Sequence, residues 1–73
     1  MINTTLLCDN IATQRKKLGL TQNQLAGMLG VSAQAVSKWE RGISCPDISL
    51  LDEIAKALQI SLAELLGIPQ NEP

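Results

Sequence analysis

The stretch TQNQLAGMLGVSAQAVSKWER, residues 21–41, decides the fold. It reads as two short helices joined by a tight turn. Thr21 is a good N-cap, and Gln24 three residues later completes a capping box, in which each side chain satisfies the other residue's backbone N–H. Leu25, Ala26 and Leu29 then share one face at helical spacing. Gly30 ends the helix, because a tight exit needs a positive φ that glycine adopts without strain. Ser32, two residues on, is a second N-cap. Two helices separated by about three residues that include a glycine must cross steeply, which is the geometry of a helix-turn-helix. Ala26 suits that crossing, since a small side chain lets the two backbones approach.

The second helix divides into two stripes. At about 100° per residue, Gln34, Ser37, Lys38 and Arg41 cluster on one side, while Val36, Trp39 and Glu40 point roughly the opposite way. The first stripe carries amide, hydroxyl, ammonium and guanidinium groups, the donors that read base edges and hold phosphates. The second carries the apolar anchors, and Trp39 is read there as a packing residue rather than a base-stacking one. On composition alone the polar stripe is a solvated helix face. The turn before it, and the absence of any acid from it, point to nucleic acid instead.

Thr21-Gln22, Leu25-Ala26, Gly30-Val31-Ser32, Val36-Ser37 and Trp39-Glu40-Arg41-Gly42 resemble the phage-repressor/Cro-like helix-turn-helix family, often called the XRE type. The later segment PDISLLDEIAKAL, residues 46–58, extends the resemblance, which covers residues 7–66. It implies an all-α, compact bundle of about five short helices, a lambda-repressor-like DNA-binding domain. It also implies a sequence-specific regulator of transcription, most simply a repressor, that binds palindromic operator DNA as a homodimer.

At 73 residues there is room for one domain, with a core over residues 6–67 and a frayed tail over 68–73. A chain this short buries only about 60% of its unfolded surface. Its apolar content is Leu, Ile and Ala, with one Trp and no Phe or Tyr, a composition that suits packed helices. No apolar run approaches the roughly 20 residues that span a bilayer, and no basic segment precedes an apolar one at the N-terminus. The expected location is the cytoplasm. Cys8 and Cys45 are then read as free thiols. With no CxxC spacing and no histidine, no zinc site and no other metal or cofactor is expected. With no histidine, no tyrosine and no glycine-rich phosphate loop, no enzyme is expected either.

A net charge of −1 is unusual for a DNA binder, but the charge is segregated. Residues 15–41 hold five cations (Arg15, Lys16, Lys17, Lys38, Arg41) against Glu40 alone, and residues 42–73 hold Lys56 against five acids. A basic face requires segregation more than a basic total. Modest affinity per domain, and dependence on dimerisation or a longer parent chain, follow.

Leu7, Ile11 and Leu18 predict a first helix over about residues 5–18, ended by Gly19. The family usually has an apolar residue where Gln14 stands, so looser packing is expected there. Lys16 and Lys17 either complement the helix dipole or reach phosphate. Glu40, on the inward stripe, needs a partner if buried. The resemblance assigns it one, Arg15, as a structural salt bridge. After Gly42 comes a loop over residues 43–46. Asp47 is an N-cap for a helix in which Ile48, Leu51, Ile54, Ala55 and Leu58 face the core. Ser61 and Glu64 form another capping box, opening a short fifth helix before Gly67, and Pro69 prevents its continuation.

In the implied binding mode the helix from Ser32 lies in the major groove, its N-terminal residues nearest the bases. Gln34 is the best base reader, because its amide can bond adenine N6 and N7 together. The family's residue at Ala33 also reaches a base edge, where an alanine can touch only a thymine methyl. Ser37 and Lys38 can reach bases or backbone. Gln22, by family precedent, meets phosphate beside its helix's N-terminal amides. Arg41 and the loop through Ser44 are further phosphate candidates, with Lys17. Leu62, Leu66 and Ile68 are candidate dimer contacts, although for Leu62 and Leu66 completion of the monomer core is the stronger reading. An antitoxin, or a protein-bridging module on the same fold, is the alternative to DNA reading.

Overall fold

The computed structural model describes residues 4–68. Five α-helices follow in order: α1 (Thr4–Lys17), α2 (Gln22–Leu29), α3 (Ala33–Glu40), α4 (Leu51–Leu58) and α5 (Leu62–Leu66), with a 3₁₀ turn at Ile48–Leu50 before α4. There is no strand among the described residues. The all-α expectation holds.

The caps fall where the sequence places them. Thr21 and Gln24 make a reciprocal capping box, as do Ser61 and Glu64, and the Ser32 side chain accepts from the Ala35 N–H. Gly30 closes α2 at φ 72°, its N–H bonded to the Ala26 carbonyl. These interactions satisfy backbone groups that a helix end leaves without intrahelical partners.

One core draws on every helix: Leu7 and Ile11 from α1, Leu25 and Ala26 from α2, Val36 and Trp39 from α3, Leu51, Ile54, Ala55 and Leu58 from α4, and Leu65 and Leu66 from α5. Helix α1 packs against α3, α4 and α5, and α2 against α3 and α4. Polar residues of α1 complete the assembly. The Asn10 amide donates to the Glu64 and Leu65 carbonyls at 3.2 and 3.0 Å, and Gln14 donates to the Leu58 carbonyl at 3.0 Å. The last carbonyls of α4 and α5 are thereby satisfied from a neighbouring helix. Gln14 is a fastener here, not a gap left by a missing apolar side chain.

Two expectations need correction. Ile48 does not face the core and is 76% exposed. Asp47 does cap, accepting from the Ser49 N–H, but it opens a 3₁₀ turn, so the phase of α4 does not extend back to Ile48. Leu62 does not complete the core as Leu66 does. It remains 40% exposed, because the inner face of a five-residue helix is filled by Leu65 and Leu66. Pro69 and residues 70–73 lie outside the described residues.

Candidate nucleic-acid interface

Helices α2 and α3 meet across residues 30–32 and pack on one another. Val36 and Trp39 hold α3 down, 0% and 5% exposed. Gln34, Lys38 and Arg41 are exposed on the other side, with Ser37 half-buried between them. A rigid apolar row therefore fixes the direction in which the polar row points. Among the described residues, this outer row contains no acid. The acid of α3, Glu40, is turned inward and its side chain is only 7% exposed.

Glu40 is the hub of the interior side. Arg15 grips it with two prongs, Nε to Oε2 at 2.6 Å and Nη2 to Oε1 at 2.9 Å. Arg15 Nη1 also donates to the Leu20 carbonyl at 2.8 Å, and Gln22 Nε2 donates to Glu40 Oε1 at 3.0 Å. α1, the α1–α2 link, α2 and α3 are thus joined through one arginine–carboxylate pair. Burial alone would raise the Glu40 pKa. The hydrogen bonds from Arg15 and Gln22, with the charges of Arg15 and Lys16, outweigh burial and hold it below the usual carboxylate range. Arg15 is correspondingly pushed up by its bond to Glu40.

The remaining candidates are placed unevenly. The Ser32 hydroxyl is occupied as a cap for Ala35 N–H. Ala33 is half-buried and packs against the core. Arg41 lies back along its own helix, Nε donating to the Ser37 carbonyl at 3.4 Å. Lys17 and Ser44 are exposed. The Gln22 side chain is committed to Glu40. Sequence reasoning missed that bond. A buried carboxylate has more acceptor sites than one arginine fills, which is the signal that a further donor was required.

The Helix-turn-helix family model matches residues 11–70. Over 59 residues the chain is 41% identical to the cryptic phage CTXphi transcriptional repressor RstR of Vibrio cholerae, a match covering 81% of this chain and 53% of that protein. Over 65 residues it is 43% identical to repressor protein C2 of Salmonella phage P22, covering 89% of this chain and 30% of that protein. The chain therefore spans about half of the first relative and under a third of the second. Among solved structures, the P22 c2 repressor in complex with synthetic operator 9T superposes with a TM-score of 0.79 at 40% identity, covering 86% of this chain and 96% of that one.

Proposed function

This chain belongs to the helix-turn-helix family, and from that premise we propose that it is a sequence-specific, double-stranded-DNA-binding regulator of transcription that acts as a repressor. The observation that carries the proposal is the outward row Gln34, Lys38 and Arg41, free of acid and backed by buried Val36 and Trp39. α3 enters the major groove with its N-terminal end nearest the bases. Gln34 reads adenine, with Ser37 and Lys38 on bases or backbone. Ala33 contributes a methyl contact with thymine. Arg41, Ser32, Ser44, Lys17 and the first-turn amides of Gln22's helix hold phosphates, setting the register without reading sequence. Recognition of the duplex on this surface makes and breaks no covalent bond.

The protein acts as a cytoplasmic homodimer on a palindromic operator, its recognition helices about 34 Å apart. Leu62 and Ile68, 40% and 48% exposed, are the apolar groups offered to the second copy. Selection of bound sequences from a random duplex pool tests the reading. An enriched two-fold motif with half-sites one DNA turn apart is expected, and a pool that stays random overturns it.

A further inference from the structure

Cys8 is a buried residue of α1 and Cys45 an exposed one in the loop that follows α3. They come from distant parts of the sequence, yet both line one open cleft, together with Thr5, Arg41 and Gly42. Both are free thiols. A buried cysteine alone is an ordinary small apolar residue. Two cysteines lining one cleft, one of them open to solvent, are a different chemical object.

We propose that Cys8 and Cys45 form a thiol–disulfide exchange site that takes low-molecular-weight disulfides and closes an internal disulfide between α1 and the loop behind the recognition helix. The exposed Cys45 reacts first. Its proton goes to solvent, its thiolate attacks one sulfur of the small disulfide RSSR, and a Cys45–S–S–R mixed disulfide forms as RS⁻ departs. Cys8 then gives up its proton and attacks Cys45 Sγ. The internal S–S bond forms and the second RS⁻ leaves. Two protein thiols are oxidised, and one RSSR is reduced to two RSH. Burial and the neighbouring Cys45 and Asp9 push the Cys8 thiol up, which leaves the exposed Cys45 as the thiol that reacts first. The linked loop carries Ser44, so oxidation restrains one edge of the proposed DNA-binding surface. The exchange chemistry itself does not depend on DNA binding.

The test uses the reduced chain incubated with oxidised glutathione and read by intact mass before and after iodoacetamide. The wild type should lose about 2 Da, resist alkylation, and recover both reactions on treatment with dithiothreitol. Cys8→Ser should accumulate one glutathione adduct, and Cys45→Ser, altered only at an exposed position, should stay unmodified at Cys8. A wild-type chain that stops at the adduct, doubles its mass through an intermolecular bond, or remains fully alkylatable would overturn the proposal.

Discussion

Arg15 Nε lies 2.6 Å from Glu40 Oε2, and this contact ties the end of α1 to the end of α3. With Nη2 on the other carboxylate oxygen, the pair has the two-pronged geometry that makes arginine–carboxylate bonds strong. Because Glu40 is nearly buried, removing one partner leaves an uncompensated charge. Arg15→Met should cost about 3–5 kcal/mol, read as a lower urea midpoint. The double variant Arg15→Met/Glu40→Leu should lose less than Arg15→Met alone, because no orphan charge remains. An unchanged midpoint for Arg15→Met contradicts this account.

Acid should loosen the same joint. Glu40 and Asp47 both titrate below their ordinary values, Glu40 because Arg15, Gln22 and Lys16 outweigh its burial, and Asp47 through its bonds from Ser49. For a group depressed in the folded state, the stabilisation is complete above the unfolded-state value and is lost as pH falls through the folded one. Stability should therefore be flat from neutral pH down to about 5 and decline below the ordinary carboxylate range near 4.3. Thermal midpoints measured across that range should fall less steeply for Glu40→Gln than for the wild type. Parallel curves would place the acid sensitivity elsewhere.

The side-chain amides of α1 give a third prediction. Asn10→Ala strips the side-chain partner from the Leu65 carbonyl, while Glu64 keeps its bond from Gly67 N–H, and Gln14→Ala strips one from Leu58. Each should destabilise by about 1–3 kcal/mol in urea titrations, the cost of leaving a half-buried carbonyl unpaired. Changes within error would mean that water replaces these bonds at no cost.

Two helix ends predict opposite signs. Gln59 closes α4 at φ 62°, a left-handed conformation that costs a non-glycine residue about 1 kcal/mol. Gln59→Gly should raise the unfolding midpoint. Gly67 closes α5 at φ 71°, and a Cβ there would stand 2.9 Å from Leu6 Cδ1. Gly67→Ala should lower the midpoint through both strain and overpacking, by about 1–3 kcal/mol. Calorimetry of the two variants reads the signs directly.

The legible parts of this fold are those written in local chemistry. Both capping boxes, the Ser32 cap, the glycine exits and the inward turn of Val36 and Trp39 follow from spacing alone, since each involves residues within a turn or two of one another. Arg15–Glu40 required the family resemblance, because nothing in the spacing joins residues so far apart. Ile48 misled because periodicity cannot distinguish a 3₁₀ start from an α start, and the two differ in where the first apolar residue points. Asn10, Gln14 and Gln22 were illegible as partners because their acceptors sit on other helices. At the interface itself, Gln34 and Lys38 were read on the exposed face and the structure has them there. The Gln22 amide was read as meeting phosphate, and it has a partner within the fold in Glu40.

The central claim, that the outward row of α3 grips a duplex, is tested most directly by the salt dependence of affinity for a selected duplex, measured for the wild type and Lys38→Ala. Log affinity should fall steeply and linearly with log salt in the wild type, and Lys38→Ala should reduce that slope by about 1. A slope near zero, or one that Lys38→Ala leaves unchanged, would contradict the claim.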